Sequence, residues 1–306
     1  MKSRKNKTID FTLSEGEAHL NNCLKDGSFE VCPENATILG DTFSVIEKIK
    51  DKSVDLLIVD PPYNLNKNFH GEKFKKSTLS EYENFTEKWI TAIKPKLKDT
   101  ASIYVCCDWE SAIVIGNVLI RHFTLRNRIT WGRDKGRGAK TNWKNSMEDI
   151  FYCTVTEDFT FNLDSVKQRK KVLAPYKQGG IPRDWEQTKN GKFRDTCPSN
   201  FWDDISIPYW SMAENTAHPT QKPEKLIAKL ILASSNIGDL VLDPFSGSGT
   251  TGVTAKKLGR KYIDIEQNPL YCAWAEKRLS DAEINKSIQG YEYGVFWERN
   301  SKPLKK

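Results

Sequence analysis

A chain of 306 residues, 38% of them hydrophobic, can bury a full core as one large domain or as one domain with a sizeable insertion. No stretch approaches the roughly 18 apolar residues of a membrane span, and no apolar segment follows the basic N-terminus, which argues against a signal peptide. The net charge of +7 is compatible with a polyanionic partner but does not require one.

The cysteines indicate a reducing environment. The seven cysteines are an odd number without the spacing of a disulfide framework, and Cys106 and Cys107 are adjacent within an apolar run. This usage is typical of reduced thiols, so we expect a cytoplasmic protein. Because no Cys-x-x-Cys pair occurs, no metal site is predicted.

The amino-terminal half alternates between strand-like and helix-like patterns. A polar stretch, residues 1–35, precedes a predicted strand at 36–39 and a helix at 42–49. The mainly apolar run at 54–59, with its β-branched residues, predicts a strand that is buried on both faces. Further predictions are helices at 81–94 and 113–120 and strands at 101–107 and 128–131.

A short motif follows the strand predicted at 54–59. In Asp60-Pro61-Pro62-Tyr63, two consecutive prolines cannot continue a sheet ladder, so the strand stops and the backbone turns. A carboxylate, a carbonyl and an aromatic ring are thereby presented together at the carboxyl end of a strand. Open α/β sheets bind their ligands at this edge.

The segment 132–217 has a different composition, rich in glycine, tryptophan and lysine. Cations for phosphates and flat rings for bases are what nucleic-acid binding requires. A solvated loop region with a few core rings would have a similar composition, and this alternative stays open. The interleaved rings are Trp131, Trp143, Trp185, Trp202 and Trp210. The predicted DNA-binding residues are Arg133, Lys135, Arg137, Lys140, Lys144, Lys167, Arg169, Lys170 and Lys171.

Regular α/β texture resumes with helices at 223–234, 250–258 and 269–280 and strands at 239–242 and 261–265. A glycine turn joins the strand at 239–242 to its helix, and Gly247 and Gly249 let the backbone bend and approach a ligand without interference from a Cβ atom. Glu266 ends the next strand, where a carboxylate can hold ribose hydroxyls.

A nicotinamide enzyme is disfavoured, although Gly247-Ser248-Gly249-Thr250-Thr251-Gly252 satisfies the dinucleotide fingerprint. An Asp-Pro-Phe sequence precedes the glycines, and too little chain follows them for a second mononucleotide-binding half. The Asp-Pro-Pro-Tyr motif elsewhere in the chain is a third argument against it.

Together these motifs resemble the amino-group DNA methyltransferases that use S-adenosylmethionine. The motif at 60–63 is similar to their catalytic motif, Asp243-Pro244-Phe245-Ser246-Gly247-Ser248-Gly249 to their cofactor loop, and His218-Pro219-Thr220-Gln221-Lys222-Pro223 to the segment that precedes that loop. The catalytic motif comes first, with the basic segment in between, which is the order of the β-group, whose fold is circularly permuted. The resemblance covers roughly residues 36–279.

The resemblance implies a Rossmann-like methyltransferase fold, which is an α/β fold with a mixed, mostly parallel, doubly wound sheet and an irregular basic target-recognition insertion. It divides the chain into an N-terminal extension (1–35), a catalytic half (36–131), a target-recognition region (132–217), a cofactor-binding half (218–280) and a C-terminal extension (281–306).

The resemblance also implies direct methyl transfer from S-adenosylmethionine to an exocyclic amine of a base flipped out of double-stranded DNA. The amine is a poor nucleophile because its lone pair is conjugated into the base. Asp60 and the Pro61 carbonyl would accept hydrogen bonds from it, within a turn fixed by Pro62, while Tyr63 would stack on the base and Trp131 is a weaker candidate for its other face. The implied cofactor residues are Asp41 at the adenine end, His218 and Lys222 at the methionine portion, Asp243, Phe245, Gly247 and Gly249 in the loop, and Glu266 at the ribose.

Asp60 bears on the choice of base. In this family an Asp in the first position of the catalytic motif goes mostly with adenine N6 and a Ser with cytosine N4, so N6-methyladenine is favoured. Cytosine C5 methylation is disfavoured because the chain has no Pro-Cys pair. A zinc-dependent base deaminase is excluded because the chain lacks the zinc-ligand pattern of those enzymes.

The prediction is therefore a sequence-specific adenine-N6 methyltransferase from a restriction–modification system or a solitary modifier. A cytosine-N4 enzyme, an enzyme acting on RNA, and a non-catalytic DNA-binding protein with a degenerate methyltransferase fold stay open as alternatives. Members of the group often form dimers, which makes a homodimer a candidate assembly.

Overall fold

A computed structural model describes residues 5–69, 72–133, 140–173, 175–189 and 191–299. The strands are β1 (Leu24–Lys25), β2 (Ala36–Leu39), β3 (Val54–Val59), β4 (Lys67–Phe69), β5 (Glu72–Phe74), β6 (Leu97–Cys107), β7 (Thr124–Gly132), β8 (Met147–Thr154), β9 (Gln168–Lys171), β10 (Lys177–Gln178), β11 (Ile181–Pro182), β12 (Glu186–Thr188), β13 (Gly191–Thr196), β14 (Phe201–Trp202), β15 (Leu240–Asp243), β16 (Lys261–Glu266), β17 (Tyr291–Glu292) and β18 (Val295–Trp297). The α-helices are α1 (Glu17–Leu20), α2 (Thr42–Glu47), α3 (Leu79–Ile93), α4 (Trp109–His122), α5 (Glu224–Ser234), α6 (Thr250–Lys257) and α7 (Pro269–Ile284), and short 3₁₀ turns lie at Lys94–Lys96 and Leu163–Val166.

The largest sheet has nine strands in the order β1-β2-β16-β15-β3-β6-β8-β7-β14. Its neighbouring strands are parallel except where β8 pairs, since β8 runs antiparallel to both β6 and β7. The sheet is therefore mixed and mostly parallel, which confirms the predicted α/β class.

Strand β3 lies between β15 and β6 and is buried on both faces. Leu57 and Val59 belong to one hydrophobic cluster, shared with α2, α3 and α4, whereas Leu56 and Ile58 belong to a second cluster, shared with α5, α6 and α7. Successive side chains of a strand point to opposite faces, so each face requires its own apolar layer. Helices on both faces make the sheet doubly wound.

Side-chain caps set where three helices begin beside the carboxyl edge of the sheet. Asp41 accepts hydrogen bonds from the backbone N–H groups of Phe43 (3.0 Å) and Ser44 (3.1 Å) and starts α2. Thr78 forms a capping box with the third residue of α3. Asn268 caps α7, whose first residue is a proline. The loops around this edge are thereby held in place.

The segment 132–217 is not separate from the main sheet. Strand β8 lies inside it yet sits between β6 and β7, and β14 pairs with β7. A second sheet, β12-β13-β9-β18-β17, combines strands of this segment with strands from the last part of the chain. The predicted boundaries at 132 and 281 therefore do not follow the sheets, because strand pairing joins segments that are distant in sequence.

Strands β17 and β18 form a hairpin. Tyr293 (φ 55°) and Gly294 (φ 78°) form its two-residue turn between β17 and β18. Positive φ at both turn positions gives the twist that a tight hairpin needs.

Three further observations concern membranes, metals and the cysteines. Among the described residues no helix is both long and apolar enough to cross a membrane. The same part of the chain contains no cluster of three or more His, Cys, Asp or Glu side chains that could hold a metal ion. All seven cysteines are free thiols.

Candidate active site

Two strand ends meet at the carboxyl edge of the main sheet. Strands β3 and β15 are parallel neighbours, with Leu57 opposite Leu242, so Asp60 and Asp243 emerge side by side. A cavity of about 280 Å³ opens between the loops that follow them. It is lined by every predicted catalytic and cofactor residue except Gly249, namely Asp41, Asp60, Pro61, Pro62, Tyr63, His218, Lys222, Asp243, Phe245, Gly247 and Glu266.

Both carboxylate oxygens of Asp60 are engaged. Oδ1 accepts a hydrogen bond from the Tyr63 hydroxyl at 2.8 Å, and Oδ2 accepts one from the Lys222 ammonium at 2.5 Å. The Lys222 ammonium also lies 3.2 Å from the Tyr63 hydroxyl and 5.4 Å from the centroid of the Tyr63 ring, at the hydroxyl end of the side chain. The Pro62 carbonyl accepts a hydrogen bond from the Tyr82 hydroxyl at 3.1 Å, which fixes the turn of the motif. Tyr63 is thus placed with its hydroxyl turned towards the carboxylate.

Lys222 lines the cavity and lies between two acidic side chains. It was predicted at the methionine portion of the cofactor, and its buried ammonium lies between the carboxylates of Asp60 (2.5 Å) and Glu148 (3.3 Å). Burial lowers the pKa of Lys222, and the two carboxylates outweigh that effect and raise the pKa above its usual value. The side chain therefore stays an ammonium.

Glu148 is a member of the site that the sequence analysis missed. It lies on β8, is almost fully buried, and binds the guanidinium of Arg133 as well as the Lys222 ammonium. The Tyr63 hydroxyl also lies 3.4 Å from Glu148 Oε2. The only signal for Glu148 in the sequence is an acidic residue at the start of a mostly apolar strand. A carboxylate is rarely buried without a partner, so such a residue indicates a charged neighbour.

The glycines of the loop are required by packing. Gly247 has φ +53° and Gly249 has φ +72°, in the left-handed region that favours glycine. A Cβ atom on Gly247 would lie 3.1 Å from the His218 imidazole, and one on Gly249 would lie 2.5 Å from the Cβ of Ala275. Gly249 therefore brings the loop close to α7 rather than to the cavity.

Asp243 stabilises the glycine loop through two hydrogen bonds. One oxygen accepts from the Thr251 hydroxyl at 2.6 Å, and the other accepts from the Phe245 backbone N–H at 3.1 Å. Burial raises the pKa of Asp243 to about 7. Its carboxyl group thus links the end of β15 to the first turn of α6.

Glu266 ends β16 at the far side of the cavity. Its two oxygens accept hydrogen bonds from the backbone N–H groups of Gly247 (3.0 Å) and Asn268 (2.8 Å). Burial raises the pKa of Glu266 to about 7, against the opposite effect of these N–H groups. A carboxylate has about four lone-pair positions, so each oxygen can still accept one hydroxyl.

His218 lies against the glycine loop. Its Nδ1 accepts a hydrogen bond from the Thr220 backbone N–H at 3.3 Å, and its ring meets Tyr271 edge to face, with centroids 4.5 Å apart. The imidazole therefore packs between α7 and the loop, with its edge facing the cavity.

The predicted DNA-binding cations differ in their surroundings. Arg133 pairs with Glu148 at the active site, Lys167 pairs with Asp164, and Arg169 binds Asp195 through two nitrogens, at 2.7 and 2.6 Å. Lys140 and Lys144 are exposed, and Lys170 and Lys171 lie on β9. Lys135 and Arg137 lie outside the described residues.

The tryptophans of the basic segment divide into core and surface rings. Trp131 is 2% exposed and donates its indole N–H to the Ile205 carbonyl, so it is a core residue and cannot stack on a base from this position. Trp185 and Trp202 are also buried. Trp143 is 94% exposed and Trp210 is 51% exposed. Only these last two can offer a flat face to a ligand without rearrangement of the core.

Comparison with known proteins places this geometry in a family. A family model described as DNA methylase (N6_N4_Mtase) matches residues 54–277. The chain is 36% identical over 259 residues to the DNA adenine methyltransferase YhdJ of Escherichia coli (strain K12), covering 81% of this chain and 84% of that protein. It is 33% identical over 251 residues to the type II methyltransferase M.HpaI of Haemophilus parainfluenzae, covering 81% of this chain and 74% of the relative.

Solved structures show the same fold at lower identity. The complex of M1.HpyAVI with SAM superimposes with a TM-score of 0.52 at 22% identity, covering 79% of this chain and 98% of that chain. The cytosine-N4-specific PvuII DNA methyltransferase gives a TM-score of 0.60 at 21% identity, covering 84% and 93%. On the strength of the family model and the two relatives, the chain belongs to this DNA methylase family.

Proposed function

We propose that this protein is a sequence-specific methyltransferase that moves a methyl group from S-adenosylmethionine to adenine N6 in double-stranded DNA, as part of a restriction–modification system. The observation that carries the proposal is the single cavity shared by the Asp60 motif and the glycine loop. Adenine is supported by the aspartate in the first motif position and by a relative named as an adenine methyltransferase.

The side chains around the cavity suit S-adenosylmethionine. Phe43 and Phe245 supply apolar walls for an adenine ring, and Glu266 supplies acceptors for ribose hydroxyls. The Ser248 hydroxyl lines the cavity and, buried, has no hydrogen-bond partner among the described residues. When bound, this cofactor supplies an electrophilic methyl group on a sulfonium.

The chain's own part in the reaction is positioning. Asp60 and the Pro61 carbonyl accept hydrogen bonds from the amine of the flipped base, which draws its nitrogen towards tetrahedral geometry. Tyr63 lines the cavity and stacks its ring on the base. Holding donor and acceptor in line in a cavity that excludes water supplies most of the acceleration.

Incubation with labelled S-adenosylmethionine and DNA, followed by nucleoside analysis, tests the function. N6-methyladenine in the digest is the expected product. N4-methylcytosine would move the protein to the other base class, and unlabelled DNA would contradict the proposal.

The circularly permuted arrangement and the five-part division of the chain are part of the proposal, supported by the order of the two motifs along the sequence. The homodimer and the cytoplasmic location stay predictions.

Cofactor binding should depend on pH through Glu266. With a pKa of about 7, this group is mostly protonated at pH 6 and mostly ionised at pH 8. Because the ionised form is the stronger acceptor, the affinity for S-adenosylmethionine should rise by up to about tenfold across that interval. Titration calorimetry at several pH values measures it. In Glu266→Gln the binding should be weaker and its pH dependence smaller, and a wild-type affinity that falls as pH rises would contradict the assignment.

Salt dependence should identify the DNA-facing lysines. Lys140 and Lys144 are exposed, beside the exposed Trp143. Replacing both by glutamine should lower the slope of log affinity against log salt by about 2, because each phosphate contact releases counterions. The matched control replaces Lys52 and Lys96, which pair with Asp99 and Asp51 at the opposite edge of the sheet. Equal effects of the two pairs would place the DNA surface elsewhere.

A further inference from the structure

Both oxygens of Asp60, the proposed catalytic carboxylate, already accept a hydrogen bond. Asp60 Oδ1 holds the Tyr63 hydroxyl at 2.8 Å, and Oδ2 holds the Lys222 ammonium at 2.5 Å. Each oxygen has a second lone-pair position, so Asp60 can accept a hydrogen bond from the target amine while both contacts stay in place. The Lys222 contact is the stronger of the two, because a charge-assisted hydrogen bond is roughly twice as strong as a neutral one. The position of the Lys222 ammonium therefore sets the orientation in which Asp60 meets the amine.

Glu148 is the second carboxylate within reach of that ammonium. Lys222 Nζ lies 3.3 Å from Glu148 Oε2, and the two side chains are 7% and 8% exposed. The other oxygen of Glu148 binds the guanidinium of Arg133. The four groups form a row, Arg133–Glu148–Lys222–Asp60, in which cations and anions alternate and the charges sum to zero.

Three groups hold the Lys222 ammonium. Besides the two carboxylates, the Tyr63 hydroxyl lies 3.2 Å from it. Loss of Glu148 would leave Asp60 as the only anion in direct contact with the ammonium, so we expect Lys222 and the Asp60 carboxylate to shift together. Arg133 in turn binds Glu148 and fixes its position.

We propose that Glu148 is a positioning residue for methyl transfer, which holds the Lys222 ammonium in place and through it the orientation of the Asp60 carboxylate. The inference rests on the proposed function and adds a role that lies outside the two sequence motifs. Glu148 does not line the cavity, so it acts through Lys222 and not on the cofactor. The charged or titratable groups that face Lys222 are Asp60, Glu148, Tyr63, Cys106 and Asp243.

The test compares two neighbouring carboxylates on β8. Glu148→Gln removes the anion that holds Lys222, whereas Asp149→Asn removes an equally buried carboxylate that instead accepts from the Thr130 hydroxyl at 2.6 Å. With saturating DNA and S-adenosylmethionine, single-turnover methyl transfer by E148Q should fall about 30- to 100-fold, the effect expected for losing one charge-assisted contact. D149N should stay within about twofold of wild type, and the affinity of E148Q for S-adenosylmethionine should be unchanged.

The pH–rate profile separates positioning from general damage to the fold. Without Glu148, Lys222 serves Asp60 alone, so the acid limb of the E148Q profile should move to lower pH. Lys222→Met, which removes the cation from Asp60, should move the same limb to higher pH. If E148Q does not fold, E148D carries the test. It keeps the charge but shortens the reach to Lys222, so it should lose rate and keep its cofactor affinity.

The outcomes distinguish this inference from the proposed function. A wild-type chain that transfers no methyl group to DNA overturns both. An active wild type together with an E148Q variant that matches D149N in rate and in acid limb overturns only the role of Glu148. Reduced rate, unchanged cofactor affinity and opposite shifts of the acid limb in E148Q and K222M establish it.

Discussion

Replacing Asp60 by alanine should lower methyl transfer to DNA by about a thousandfold or more. The variant removes the carboxylate that is proposed to accept from the target amine, and loss of one such electrostatic contact typically costs 10²- to 10³-fold in rate. It also frees the Lys222 ammonium, which Oδ2 holds at 2.5 Å in the wild type, to approach the amine as a competing donor. Transfer of a labelled methyl group under single-turnover conditions measures the loss.

Two controls show whether the fold survives the substitution. Asp60→Ala should still bind S-adenosylmethionine, because Glu266 and the glycine loop lie on the other side of the cavity. Asp60→Asn keeps one acceptor oxygen but removes the charge, so its rate should lie between those of wild type and D60A. Substantial methylation by D60A, with cofactor affinity intact, would remove Asp60 from the reaction and overturn the proposed mechanism.

Replacing Gly249 by alanine should cost about 2–5 kcal/mol of unfolding free energy. The left-handed backbone contributes about 1–2 kcal/mol of strain for any residue with a Cβ atom, and overpacking typically adds about 1–3 kcal/mol. The overpacking is specific, since the new Cβ would lie 2.5 Å from the Cβ of Ala275. Urea denaturation measures the loss, and the affinity for S-adenosylmethionine should fall with it because the loop must shift away from α7.

Gly238 supplies the matched control for this substitution. It also has positive φ, +87°, but a Cβ atom there would meet nothing within 4 Å. Gly238→Ala should therefore show the strain without the clash, and it should leave cofactor binding unchanged. Equal losses in the two variants would mean that backbone conformation alone, and not the contact with α7, explains the need for glycine at 249.

The strands of the main sheet could be predicted where a local run of apolar residues specified them. The run at Val54–Val59 is a strand with the same bounds as predicted, because a mainly apolar run with β-branched residues suits a strand covered on both faces. The place of β8 between β6 and β7 was harder to predict, because it depends on pairing with residues far away along the chain.

For the cations of the basic segment, the sequence did not show which acidic partners they have within the protein. Lys167 and Arg169 satisfied a compositional rule for DNA binding, yet each has an aspartate partner within the protein. Trp131 likewise satisfied a rule for stacking and is a core residue. Composition reports which groups are available, whereas the neighbours that fold against them decide whether those groups are free to bind something else.

By itself the sequence determined the α/β class, the strand that ends in Asp60, the glycine turn at 243–249 and the resemblance that the family comparison confirms. These features depend on residues adjacent in the chain, where period, proline and glycine act locally. Only the tertiary structure decided that Lys222 binds Asp60, and that Glu148 lies beside it. The partner of a buried charge is chosen by the packing of strands and loops that lie far apart in the sequence, and no local pattern carries that information.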